Sequence, residues 1–140
     1  MKQKVLILCT GNSCRSQMAE GVLRHYGSEK FDVYSAGSKP SIVNPTAIRV
    51  MKEIGIDISK HESKSVTLFM GQPFDYVITV CDNARGSCPV FPGSCQRLHW
   101  PFPDPPHEKE VTEAVLKEFR SVRDLIHEKF REAAVDGFPE

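Results

Sequence analysis

The chain carries no excess charge of either sign: eighteen Lys and Arg offset eighteen Asp and Glu over 140 residues. A protein that neutralises nucleic-acid phosphates or an anionic membrane needs a basic surplus, so neither partner is expected. Long hydrophobic runs are missing as well. No apolar stretch approaches the ~18 residues of a membrane-spanning helix. Val5-Leu6-Ile7-Leu8 is too short for a signal-peptide core and lacks a small-residue cleavage site. The expected location is the cytoplasm. Repeats, low-complexity tracts and linkers are absent, which leaves one domain over residues 1–140, expected as a monomer. The five histidines are scattered, with no H-x3–5-H pair, so no metal site and no cofactor is expected. Five cysteines, an odd number, are no disulfide framework in a reducing compartment. Catalysis remains as the reason to keep them.

What is present alternates strand-like and helix-like segments. Lys4 to Leu8 is a short apolar run that ends at Cys9 and Gly11, as a buried strand does. Ser16 stands as a helix N-cap before the apolar positions Met18, Ala19, Val22 and Leu23. Phe31 to Ala36 alternates as a second strand, closed by Gly37. Asn44-Pro45-Thr46 opens a second helix, with Pro in its first turn, and Gly55 ends it. Phe74 to Val80 reads as a third strand ending at Cys81, and Arg97 to Trp100 as a short fourth. Val111, Val115, Phe119, Val122, Leu125, Ile126 and Phe130 mark one long amphipathic helix to roughly Ala134. The expected fold is a single doubly wound α/β domain, a four-stranded parallel sheet flanked by helices. Ligands of such folds bind beyond the carboxyl ends of the strands, where Cys9 and Cys81 both fall.

The segment Cys9-Thr10-Gly11-Asn12-Ser13-Cys14-Arg15-Ser16 runs from a strand into a helix N-terminus. Gly11 and Asn12 tolerate left-handed backbone, so successive N–H groups turn inward as an anion nest. The following helix adds its positive dipole end, and Arg15 a planar fork suited to a tetrahedral oxyanion. The same field lowers the Cys9 thiol from its ordinary ~8.5 toward the ~3.5–7.5 range of reactive cysteines. One loop thus predicts both an oxyanion site, built from residues Thr10, Gly11, Asn12, Ser13, Cys14 and Arg15, and a thiolate nucleophile.

Cys9-x5-Arg15-Ser16 resembles the phosphate-binding loop of low-molecular-weight tyrosine phosphatases. The longer string from Cys9 to Gly21 resembles the thioredoxin-coupled arsenate reductases that share that fold. The likeness continues through Tyr34-Ser35-Ala36-Gly37, Asn44-Pro45, Val80-Cys81, Cys88-Pro89 and Asp104-Pro105. It implies arsenate as substrate, Cys9 as nucleophile and Asp104 as the acid that protonates the departing oxygen. It further implies a three-cysteine relay. Cys81 attacks Cys9 and releases arsenite, Cys88 then attacks Cys81, and thioredoxin reduces the resulting disulfide. Ser16 is expected to hydrogen-bond the Cys9 thiolate or cap the helix, and Asn12 to hold the loop. In some arsenate reductases the positions of Asn12, Glu20 and Ser35 contribute to a potassium site, which Lys64 is expected to replace here.

A disulfide needs Cα atoms within roughly 4.4–6.8 Å, whereas seven helical residues rise about 10 Å. Joining Cys81 to Cys88 therefore predicts local unwinding, eased by Gly86 and Pro89. Two other readings stand beside the reductase. One is a phosphatase that uses Cys9, Arg15 and Asp104 alone, disfavoured because Pro106 and His107 follow Asp104-Pro105 where tyrosine phosphatases carry tyrosines. The other is a redox sensor without turnover.

Overall fold

The computed structural model describes residues 2–81, 91, 93, 95–107 and 110–139. Four strands, β1 (Gln3–Cys9), β2 (Phe31–Gly37), β3 (Tyr76–Thr79) and β4 (Gln96–His99), form one parallel sheet in the order β2-β1-β3-β4. Among the described residues three helices accompany it: α1 (Arg15–Gly27), α2 (Pro45–Glu53) and α3 (Glu113–Asp136). A short 3-10 turn, Val66–Phe69, was not legible in the sequence.

Successive strand side chains point to opposite faces, and each face has its own cover. Val5, Ile7, Val33 and Ile78 pack with Met18, Val22, Val50, Phe119, Ile126 and Phe130 of the three helices. Leu6, Leu8, Ala36 and Val77 pack instead with Phe69, Phe74 and Phe91, so among the described residues this face is roofed by turns and rings. Phe119 and Phe130 are essentially inaccessible. Burying each such side chain is worth ~1.5–3 kcal/mol.

The helix ends follow the sequence except at the starts of α1 and of α3, which begins at Glu113 and not at Val111. Asn44 Oδ1 accepts from the backbone N of Thr46 at 2.8 Å and of Ala47 at 3.3 Å, with Pro45 in the first turn of α2. Thr112 Oγ1 accepts from Val115 N at 3.2 Å at the start of α3. Gly55 and Gly137 adopt φ of 80° and 84° just past α2 and α3, where a side chain would be strained. For α1 the expected Ser16 cap is corrected. The helix already begins at Arg15, and Cys14 stands at its N-cap with no side-chain hydrogen bond. Ser16 lies inside the helix because Asn12 engages its hydroxyl. No helix among the described residues is long and apolar enough to cross a membrane.

The topology fixes the site. The chain leaves β1 for β2 on one side of the sheet and returns to β3 on the other, so the order reverses at β1 and opens a crevice at the β1 and β3 carboxyl ends. Leu8 is in register with Thr79, and Val80 N donates to Leu8 O at 2.9 Å. Cys9 and Cys81 therefore leave neighbouring strands at almost the same level.

Candidate active site

The loop after β1 is fixed from outside, carbonyl by carbonyl. Thr10 O accepts from Lys39 N at 2.9 Å. Gly11 O accepts from Ser41 N at 3.2 Å and from Ser63 Oγ at 2.9 Å. Asn12 O accepts from Gln17 Nε2 at 3.0 Å, Ser13 O from Asn44 N at 3.1 Å, and Cys14 O from Met18 N at 2.9 Å. A trans peptide points its N–H opposite to its carbonyl, and the described chain has no cis bond. With the carbonyls of residues 10–14 turned outward, the N–H groups of residues 11–15 point to the concave side. Asn12 is the pivot, at φ 48°, the one left-handed non-glycine among the described residues.

Behind the loop lies a buried polar network. Asn12 Nδ2 donates to Ser16 Oγ at 2.8 Å and Ser35 Oγ at 2.9 Å, while Asn12 Oδ1 accepts from Lys64 N at 2.8 Å. Ser35 Oγ donates to Glu20 Oε1 at 2.6 Å. Gln17 Oε1 accepts from His61 Nδ1 at 3.0 Å. Burial holds the His61 imidazole below its ordinary value, outweighing Glu20 3.6 Å away. Glu20 pairs with Arg24 at 3.1 Å, whereas Lys64 Nζ donates to Glu62 O. Among the described residues no buried side-chain N or O lacks a partner, and a fully satisfied network of this kind rigidifies what it supports.

Arg15 is 6% exposed. Its Nη1 donates to Phe102 O at 3.1 Å, and its Nε lies 3.5 Å from Asp104 Oδ1. A guanidinium at the first position of α1 thus ties the proline-rich segment after β4 to the loop after β1. Asp104 also meets His107 Nε2, at 3.0 Å from the same Oδ1. Two thiols share the loop and differ in environment. Cys9 and Cys14 are both buried and neither is in a disulfide. Burial, reinforced by Asp104, pushes the Cys14 thiol up to about 12 despite Arg15 beside it.

Cys81 is buried and disulfide-bonded, with its sulfur 4.0 Å from Leu8 O, the carbonyl one residue before Cys9. Cys95 is a free thiol against the aromatic cluster of Phe74 and Phe91. Cys88 and the expected unwinding of 81–88 lie outside the described residues. The structure therefore brings Cys9, Cys14, Arg15, Cys81 and Asp104 together beyond the β1 and β3 carboxyl ends, with Asn12 and Ser16 buried behind the loop, where Ser16 serves Asn12 rather than the helix end. Sequence reasoning missed Gln17, Ser41, Ser63 and the Lys64 amide as supports of the loop. Only their long-range partners reveal them. Among the described residues no group of three or more His, Cys, Asp or Glu side chains is placed to hold a metal ion.

A strand-to-helix loop with Cys9 and Arg15 at its ends, on a parallel sheet of this order, defines a class. A profile described as Low molecular weight phosphotyrosine protein phosphatase matches residues 4–135, and the chain belongs to that family. Relatives within it include several arsenate reductases. An arsenate reductase of Halalkalibacterium halodurans is 44% identical over 136 residues, covering 97% of this chain and 98% of that protein. A solved structure of an arsenate reductase in oxidized state is 33% identical at a TM-score of 0.81, covering 97% of this chain and 99% of the other. Another, an arsenate reductase in the phosphate binding state, is 34% identical at a TM-score of 0.78, covering 99% and 100%.

Proposed function

We propose that this chain is an arsenate reductase that reduces arsenate to arsenite through Cys9, Cys81 and Cys88 and is returned to its reduced state by thioredoxin. The observation that carries the reading is the pair of cysteines at the β1–β3 switch point. Cys9, outside any disulfide, opens the oxyanion loop, while Cys81, leaving the neighbouring strand, is disulfide-bonded. A phosphatase of this family needs one nucleophile and has no use for the second cysteine.

The chemistry follows from the groups present. The Cys9 thiolate attacks arsenic in an arsenate held by the N–H groups of residues 11–15 and by Arg15. One arsenate oxygen departs with a proton from Asp104, leaving a Cys9–arsenic bond. The Cys81 thiolate attacks the Cys9 sulfur, and arsenic leaves with the bonding electron pair as arsenite. The Cys9–Cys81 disulfide is then attacked at Cys81 by Cys88, which frees Cys9. Two thiols are oxidised and one arsenic is reduced by two electrons. Cys88 as the partner of Cys81 is what the resemblance to the three-cysteine arsenate reductases implies. A relay that must be kept reduced between turnovers belongs in the cytoplasm.

Cys81→Ser tests the reading. Arsenate turnover with thioredoxin is expected to vanish while hydrolysis of an aryl phosphate, which needs only the loop, persists. Unchanged arsenate turnover would contradict it. Glutathione with glutaredoxin in place of thioredoxin, tested in parallel, is expected to sustain no turnover.

A further inference from the structure

The segment that carries Asp104 is held in an unusual way. Pro101, Pro103, Pro105 and Pro106 fix much of its backbone. The Asp104 side chain is 42% exposed, and the segment borders a cavity of about 570 Å³ lined by Pro103, Pro105, Lys117, Glu118 and Leu125. Packing therefore does not set the rotamer of the carboxyl. Two donors do, and both reach Oδ1: His107 Nε2 at 3.0 Å and Arg15 Nε at 3.5 Å. The imidazole has the closer hold. It sits three residues on from Asp104 across two prolines, so the pairing of 104 with 107 costs little chain entropy. Nε2 donates to Oδ1 in the charged ring and in the neutral ring whose proton sits on Nε2.

We infer that His107 is a positioning residue for the general acid: by engaging Oδ1 of Asp104 it leaves Oδ2 as the oxygen that carries and delivers the reactive proton. The inference rests on the role given to Asp104 in the proposed function. The two carboxyl oxygens are not equivalent in this setting. A proton on Oδ1 would confront two donors, and a proton on Oδ2 confronts none of them. After transfer, the new carboxylate charge falls on a group already bonded by His107 and Arg15, which favours the transfer. Among the described residues, the charged groups beside Asp104 are Arg15 from α1, and Lys117 and Glu118 of α3 across the shared cavity.

The test separates a hold on the acid from a general structural role. His107→Ala, His107→Gln and His107→Asn are each assayed for the single-turnover rate with arsenate and for hydrolysis of p-nitrophenyl and phenyl phosphate. His107→Ala is expected to slow the arsenate step about three- to tenfold, a fraction of the 10²–10⁴-fold of a full general acid, with half-saturating arsenate within about twofold of wild type. Phenyl phosphate, the poorer leaving group, is expected to lose several-fold more than p-nitrophenyl phosphate. His107→Gln, whose amide nitrogen overlays Nε2, is expected to restore most of the rate, and His107→Asn, which reaches only the Nδ1 position, is not. On an Asp104→Ala background His107→Ala is expected to add no further loss. An unchanged rate, equal losses on both esters, or full additivity with Asp104→Ala would overturn the inference. If the wild-type protein hydrolyses the esters but leaves arsenate unreduced, the proposed function falls and His107 is still judged by the ester pair.

Discussion

Asn12 Nδ2 and Ser35 Oγ lie 2.9 Å apart, joining the left-handed pivot of the oxyanion loop to the middle of β2. The same side chain receives the Lys64 amide and reaches Ser16, so one buried residue connects the loop to α1, β2 and the segment before the 3-10 turn. The loop is held in shape before any anion arrives.

Replacing Asn12 by alanine leaves the Lys64 N–H without its acceptor and places a Cβ residue without a compensating side chain at φ 48°. A buried donor left unpaired costs about 1–3 kcal/mol, and left-handed backbone adds roughly 1–2 kcal/mol. The urea midpoint is expected to fall accordingly, and phosphate affinity with it. A midpoint equal to wild type would show that the network is not the support of the loop.

Gly37 ends β2 against the same loop. A Cβ there would meet the backbone O of Thr10, and Asn12 N at 2.9 Å, both main-chain atoms that cannot rotate away. Gly37→Ala is expected to displace the loop and abolish oxyanion binding, measured by phosphate titration. By contrast, Gly55→Ala meets no atom within 4 Å and is strained only by its φ of 80°, so its cost is expected in stability and not in binding.

The two loop thiols are expected to separate on alkylation. Burial pushes Cys14 up to about 12, so at pH 8 it is almost wholly the unreactive thiol. Cys9, facing the loop amides and the α1 dipole, is expected to react with iodoacetamide first, and phosphate is expected to protect it. Peptide mapping by mass spectrometry reads both. Faster modification of Cys14 would contradict the assigned field.

Stability is expected to fall with acid in two separate windows. The Arg120 and Arg123 guanidiniums, 2.7 and 2.8 Å from Glu53, hold its carboxyl at about 2, below the ordinary carboxylate range. A depressed acid contributes above its unfolded value, ~4.3, and that contribution fades as pH drops toward 2. His61 titrates below its ordinary value because it is buried, so the unfolded chain takes up its proton first. Its share of stability is complete above pH ~6.5 and is lost as pH falls below that. Urea midpoints from pH 7.5 to 3 are expected to drop in both windows. His61→Gln is expected to flatten the upper one and Glu53→Gln the lower, and an unchanged slope in either variant would remove the corresponding assignment.

Local signals carried the strands, the long helix and the Cys9–Arg15 loop, because hydrophobic period and a strand-to-helix turn are written in neighbouring residues. The parallel sheet followed from alternation alone, whereas its order and the reversal at β1 came only with the coordinates. What stayed hidden was long-range. Nothing near Ser63 or Lys64 announces that Gly11 and Asn12 will use them. Cys14 displaced Ser16 as the helix cap because Asn12, four residues before Ser16, took its hydroxyl. That Arg24, and not Lys64, meets Glu20 depends on one helical turn of α1, a spacing visible in the sequence but unread there. His107 was legible as a departure from tyrosine, and its place on Asp104 Oδ1 needed coordinates.

The central claim is that arsenate takes its two electrons from this chain's own cysteines. Fully reduced protein mixed with arsenate in the absence of any reductant tests it directly, with free thiols counted and disulfides mapped by mass spectrometry. The expected result is the loss of two thiols per arsenite formed, with the bridge between Cys81 and Cys88 and Cys9 free again. No thiol loss, with aryl phosphates still hydrolysed, would contradict it and leave a phosphatase in which Cys81 and Cys88 play no part.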